Sequence, residues 1–185
     1  MVTAEGVKRF AFLPVVLCLG AASWALLGPV QTASAEDPYD LVVVDGVFGG
    51  TVSKFNGQRK WRPTLWLDAS YGVVGPLHIG GYFQWLGKSW PLEDPGLGGG
   101  GMLALRGNIK SLRLSGGFAG GYLRVPLITQ VEGTGTLSAF AGVGYGFLSW
   151  LGLEVRGRWM RYFRMPAGAP KQAWSIEAGM SFFIN

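Results

Sequence analysis

From residue 41 onward, apolar residues alternate with small or polar ones in eight segments near 41–53, 61–73, 77–87, 101–109, 112–124, 135–147, 151–163 and 173–184. A period of two marks a strand with unlike faces. In the seventh segment Leu153, Val155, Gly157 and Trp159 oppose Glu154, Arg156, Arg158 and Met160. In the eighth, Trp174, Ile176, Ala178, Met180 and Phe182 oppose Ser175, Glu177, Gly179 and Ser181. Short links, Val74-Gly75-Pro76, Lys110-Ser111 and Leu148-Ser149-Trp150, alternate with longer ones at 54–60, 88–100, 125–134 and 164–172. Short turns at one end and longer loops at the other give the rhythm of an up-and-down barrel. Eight strands place both ends of the barrel on the short-turn side.

The first 35 residues follow another pattern. Lys8 and Arg9 precede an apolar run over 10–27, Pro29 ends it, and Ala33-Ser34-Ala35 supplies a cleavage site. This layout predicts a cleavable signal peptide over 1–35 and a barrel over 36–185, with no further domain. The single cysteine, Cys18, falls inside the signal, so the barrel is expected to hold no disulfide and no thiolate metal site. No later stretch is long and apolar enough for a spanning helix, so membrane residence requires strands.

Composition sharpens the picture. The chain carries 31 Gly, 14% aromatic and only 15% charged residues. Apolar content excludes disorder, Gly without a three-residue period excludes collagen, and Gly at this level opposes a helical bundle. A soluble barrel would also alternate, but its polar face would be rich in Lys and Glu. Here that face is crowded with Gly, Ser and Ala, as a narrow lumen requires. The aromatics fall into two groups. Trp61, Trp85, Trp159, Phe163 and Trp174 lie toward the long-loop ends; Tyr71, Tyr145, Phe147, Trp150 and Phe182 lie toward the short-turn ends. Two aromatic levels are what two membrane–water interfaces select.

The segment pattern, with a last strand alternating from Trp174 to Phe182, resembles the small outer-membrane β-barrel family, the single-domain eight-stranded proteins of Gram-negative envelopes. The resemblance implies an all-β, eight-stranded antiparallel up-and-down transmembrane barrel, monomeric, with both mature termini in the periplasm. It also implies a terminal strand read by the barrel-insertion machinery. In this chain Ile184-Asn185 follows Phe182-Phe183, whereas the family usually ends on the aromatic.

The charges sort into zones. Inward strand positions hold Asp45, Asp68, Glu154 and Glu177 against Arg106, Arg113, Arg156 and Arg158, and unpaired charge in a narrow lumen is costly. An ion-pair network is therefore expected, with Arg156 and Arg158 both meeting Glu177. The long-loop end holds Lys54, Arg59, Lys60, Arg62, Lys88, Arg124, Arg161, Arg164 and Lys171 against Glu93, Asp94 and Glu132. The short-turn end holds Glu36, Asp37 and Asp40 against Lys110. A basic rim beside an aromatic belt suits lipopolysaccharide phosphates. Nucleic acid is not an expected partner, because the basic residues lie at loop ends of an exported chain.

Catalytic motifs are weak. Some outer-membrane barrels modify lipid A with a His near a Ser or at the external end. The only His, His78, opens the third segment beside a short turn, and Gly80 stands two residues on. Gly87-Lys88-Ser89 lacks the earlier glycine of a P-loop, since Tyr82 occupies that position. Gly142, Gly144 and Gly146 alternate along a strand, which is lumen packing. No cofactor and no metal site are expected; the adjacent Glu93 and Asp94 make a poor Ca²⁺ loop. The sequence thus predicts a non-enzymatic envelope component, structural, adhesive or lipopolysaccharide-interacting. A small channel, a lipid A enzyme and a soluble periplasmic barrel are the rival readings.

Overall fold

The computed structural model describes residues 40–55, 57–88, 95–126, 131–165 and 170–184. The predicted signal peptide, Glu36, Asp37, Glu93 and Asp94 lie outside these residues.

Eight strands follow in order: β1 (Val42–Phe55), β2 (Gln58–Val74), β3 (Leu77–Leu86), β4 (Gly96–Ile109), β5 (Leu112–Pro126), β6 (Val131–Leu148), β7 (Leu151–Tyr162) and β8 (Gln172–Ile184). Each pairs antiparallel with its sequence neighbour, and β1 pairs with β8 to close the barrel. Closure gives every strand two partners and leaves no open edge. The short turns are Gly75-Pro76, Lys110-Ser111 and Ser149-Trp150. Lys110 adopts a positive φ of 58°, unusual for a residue with a side chain.

The strands run further at the opposite end than the alternation suggests. The expected long link at 54–60 is a tight hairpin, with Phe55 opposite Gln58 and Gly57 at φ 81°. Asn56-Gly57 is the dipeptide such a turn favours. β4 begins at Gly96, inside the expected 88–100 link, and β5 and β6 extend to Pro126 and from Val131. The 125–134 link is therefore shorter than its sequence implies.

Alternation divides inside from outside. Along β7, Glu154, Arg156, Arg158, Met160 and Tyr162 are buried inside, while Val155, Gly157 and Arg161 are exposed outside. The outer face is apolar on every strand; Ile176 is 74% exposed, Phe118 64% and Trp174 62%.

Glycine serves two different needs in this wall. At Gly179 a Cβ would stand 1.9 Å from the Gly46 carbonyl oxygen and 2.6 Å from the Val47 Cα, so the strands approach there only because no side chain intervenes. At Gly157 the nearest atom to a Cβ is the Ala141 oxygen at 4.0 Å, and the position is open. Gly179→Val is expected to destabilise the barrel by about 1–3 kcal/mol through forced backbone movement. Gly157→Val is expected to leave stability unchanged or raised. Denaturant unfolding in lipid vesicles, followed by gel mobility, checks the contrast.

Candidate functional site

The lumen is filled in layers. Nearest the short-turn end, Arg113 on β5 pairs with Asp40, which also accepts a 3.2 Å hydrogen bond from the Asn108 side-chain amide. The Arg113 guanidinium lies 3.2 Å from the centre of the Phe183 ring. A cavity of about 20 Å³ remains beside these groups, lined in part by Val43, Arg106 and Glu154, with room for about one water.

The next layer centres on Arg156. Its Nη2 donates to Asp45 at 2.7 Å and to Glu154 at 3.1 Å, its Nη1 to Asp68 at 2.8 Å, and its Nε to Glu154 at 3.2 Å. Arg106 reaches the same two aspartates from β4, at 2.7 Å to Asp45 and 3.0 Å to Asp68. Ser115 and Ser181 donate to Glu154. Four strands other than β7 and β8 thus converge on one buried cluster in which two guanidinium groups face three carboxylates.

Above it, Arg158 donates to Glu177 at 3.2 Å, and Ser175 donates to the same carboxylate at 2.6 Å. The strand register sets Arg156 opposite Glu177 and Arg158 opposite Ser175. Even so, only Arg158 takes Glu177; Arg156 spans the lumen to β1 and β2. The expectation that both arginines meet Glu177 is corrected accordingly. The reason is reach: a guanidinium with five donors is satisfied by three carboxylates across the barrel better than by one beside it.

Arg158 also lies 3.5 Å from the Trp66 ring centre, and Trp66 stacks on Tyr82 at 4.1 Å with planes 9° apart. Planar guanidinium and aromatic faces attract through the ring quadrupole, more strongly when desolvated. The mouth half of the lumen is then apolar, with Leu86, Leu123, Phe140, Met160, Tyr162 and Ala173 buried together. Two of its polar groups are paired locally: the Tyr82 hydroxyl with Thr136 at 3.2 Å, and Gln84 with the Met160 sulfur at 3.2 Å.

All eight residues expected in the lumen lie there. Two more join them. Arg62, expected on the external rim, is 5% exposed and inside the mouth. It shares the strand face of Thr64, Asp68 and Ser70, so its parity in β2 already indicated this. Asp40, expected at the short-turn end against Lys110, is buried and serves Arg113 instead. Five acids, Asp40, Asp45, Asp68, Glu154 and Glu177, thus share the lumen with five arginines, 62, 106, 113, 156 and 158. The aromatic plug of Trp66, Tyr82 and Phe140 was not anticipated.

The remaining rim residues lie around the mouth. Lys54, Arg59, Lys88, Arg124, Arg161, Arg164 and Lys171 are exposed and Lys60 is half-buried. Arg161 lies 5.9 Å from the Phe163 ring centre. None of the ten aromatics assigned to the two levels is buried; Trp159 and Trp174 meet at 6.4 Å near the mouth, and Trp150 and Phe182 at 6.4 Å near the short turns. His78 is fully buried inside the short-turn end, and neither ring nitrogen has a hydrogen-bond partner among the described residues. No group of three or more His, Cys, Asp or Glu side chains is placed to hold a metal ion among the described residues.

Arg156→Met is expected to destabilise the barrel by about 3–5 kcal/mol, since it leaves buried carboxylates uncompensated. The exposed Arg161→Gln is expected to cost no more than about 0.5 kcal/mol. Equilibrium unfolding of the two variants in the same vesicles measures the difference.

No protein-family model matches the sequence, and no curated protein matches it. Solved structures do resemble it. Neisserial surface protein A superposes with a TM-score of 0.59 at 13% identity, over 77% of this chain and 97% of that one. The outer-membrane protein OprG from Pseudomonas aeruginosa gives 0.54 at 12% identity, over 80% and 98%. Ail, the attachment invasion locus protein of Yersinia pestis, gives 0.50 at 14% identity, over 78% and 100%. At such identities the likeness is one of fold, and with strand number, order and closure it leads to one conclusion: the chain has the eight-stranded up-and-down architecture of the small outer-membrane β-barrels.

Proposed function

We propose that this chain is an integral outer-membrane protein of the Gram-negative envelope, a non-enzymatic structural barrel whose basic mouth meets lipopolysaccharide. The supporting observation is the inversion of ordinary burial. Large apolar side chains cover the outside, while ten charged groups are folded away within. In water such an exterior would be an aggregation liability; in hydrocarbon it is the expected surface.

In this reading residues 1–35 are a signal peptide removed on export, and 36–185 form the barrel. The barrel-insertion machinery sets it in the membrane as a monomer. The short turns and both mature termini face the periplasm, and the mouth faces outward. The two tiers of aromatics then sit at the two interfaces, and Lys54, Arg59, Arg124, Arg161, Arg164 and Lys171 lie at the level of outer-leaflet phosphates. Charge-assisted bonds to phosphate are the chemistry such a rim offers.

A pore reading lacks support from the lumen. Arg156 and its carboxylates interlock across it, and the aromatic and aliphatic cluster fills the half above. The enzyme reading gains no support from the lone histidine: His78 is enclosed at the periplasmic end with neither ring nitrogen hydrogen-bonded among the described residues, and Ser175 and Ser181 meet Glu177 and Glu154 only inside the filled lumen.

The folded protein is expected to fractionate with outer membranes and to migrate faster on gels without heating than after it. Release into the periplasm without detergent overturns the proposal. Val155→Arg, which places a charge on the outer face midway along β7, is expected to cost about 2–4 kcal/mol in vesicle unfolding. His78→Ala is expected to leave the acylation of lipid A unchanged by mass spectrometry.

A further inference from the structure

The outer wall is not evenly covered. Across β6, β7, β8, β1 and β2, one row of outward positions runs Ala139, Trp159, Trp174, Val52, Trp61, fixed by the pairings Ala139 with Trp159, Trp159 with Trp174, Trp174 with Val52 and Val52 with Trp61. The row one step toward the short-turn end runs Gly116, Ala141, Gly157, Ile176, Gly50. Large rings therefore stand directly above a row in which Ile176 alone carries a large side chain. The result is a groove of about 930 Å³ on the outside of the barrel. Its floor includes Ala139, Ala141 and Gly157, and its walls include Trp61, Trp159, Trp174 and Ile176.

The patch is open for a reason other than close strand approach. At Gly157 a Cβ meets nothing nearer than 4.0 Å, so space remains that the barrel itself does not use. By contrast, Gly50 is occupied: a Cβ there would strike the Trp61 indole nitrogen at 2.0 Å, so Trp61 lies over it as a fixed wall. Trp159 and Trp174 are inclined 52° to each other rather than stacked flat.

One step further toward the mouth the chemistry changes. On the same face as Trp159 stands Arg161; on the same face as Val52 stands Lys54, paired across to Arg59. All three are exposed. Two residues of strand separate them from the tryptophan row, about 6.6 Å. An apolar groove with three cations along its upper margin matches an amphiphile with an acyl chain and an anionic head. No carboxylate faces it from the adjoining rows.

We infer that this groove seats an acyl chain of a phosphorylated outer-leaflet glycolipid, its phosphates held by Arg161, Lys54 and Arg59. The inference rests on the outer-membrane reading above and adds to it a defined site: one sector of the wall, β6 to β2, rather than the whole rim. The chain lies over Ala141 and Gly157 between the tryptophans, and the phosphate charge complements the cations that an apolar partner would leave unused.

The test uses the full protein purified from membranes in detergent, with lipid A as probe and phosphatidylcholine as comparison, and lipid adducts read by native mass spectrometry. Ala141→Leu combined with Gly157→Val fills the floor without touching a cation. Lys54→Gln, Arg59→Gln and Arg161→Gln combined remove the cations and leave the floor. Heat-modifiable migration confirms that each variant is folded; should the double floor variant fail to fold, Gly157→Val alone takes its place. The expected result is a lipid A adduct on the wild type, favoured over phosphatidylcholine, that falls about tenfold in each variant. Loss in the cation variant alone leaves the basic-rim reading standing and overturns the groove. Loss in neither overturns both. Loss in the floor variant alone, or equal binding of phosphatidylcholine, shows an apolar slot without head-group recognition and overturns the assignment. A wild-type dimer abolished by the floor variant makes the groove a self-contact and also overturns it.

Discussion

An eight-stranded barrel encloses a space that side chains must fill, because it is too narrow for a solvated channel and too wide for the backbone to close alone. Here that filling is organised by Arg156. Its guanidinium meets Asp45, Asp68 and Glu154, and Arg106 bridges the same two aspartates from another strand. Buried ion pairs of this kind are not efficient stabilisers in themselves, since desolvation offsets much of their attraction. Their strength is geometric: five donors on one planar group hold three strands at fixed distances. The apolar plug above, joined to the charged layer where Arg158 lies against Trp66, then packs against a frame that is already set.

The outside solves the converse problem. Nothing polar is needed there, so shape alone distinguishes one sector from another. Most of the wall carries Leu, Val, Ile and Phe, whereas the stretch around Ala141 and Gly157 carries almost nothing. Glycine content is thus not one property of this chain. Gly49, Gly100, Gly117, Gly121 and Gly179 let neighbouring strands approach to within a distance no Cβ allows, and Gly57 serves a turn. Gly157 and Gly107 answer to neither need.

Period-two alternation made the strands and most of the inward charges legible, since both depend on parity, which a sequence displays directly. Arg62 shows the limit of applying it unevenly: its parity matches Asp68, yet its place near a loop suggested a rim. The hairpin after Phe55 is marked in the sequence by Asn56-Gly57, a turn signal that the expected long link at 54–60 left unused. Trp66, Tyr82 and Phe140 were harder to see. Each is apolar on a face otherwise read as polar, and only the three-dimensional width of the lumen explains why large rings belong there. The partners of Arg156 could not follow from register, because a long side chain in a closed ring reaches strands that no local pairing relates.

The network of Arg156 also has a temporal side. The residues it joins stand 88 and 111 positions apart along the chain, and β1 reaches β8 only at closure. Contacts of such separation form late and slowly. Until they form, Asp45 and Asp68 on the early strands lack one cation of their pair, and a slip of one residue would turn them toward the apolar side. The charges in the lumen therefore discriminate between a finished ring and an unfinished one: Asp45 and Asp68 gain their second cation only when the seventh strand has come round to the first two, so Arg156 acts as the key to a lock assembled by β1 and β2.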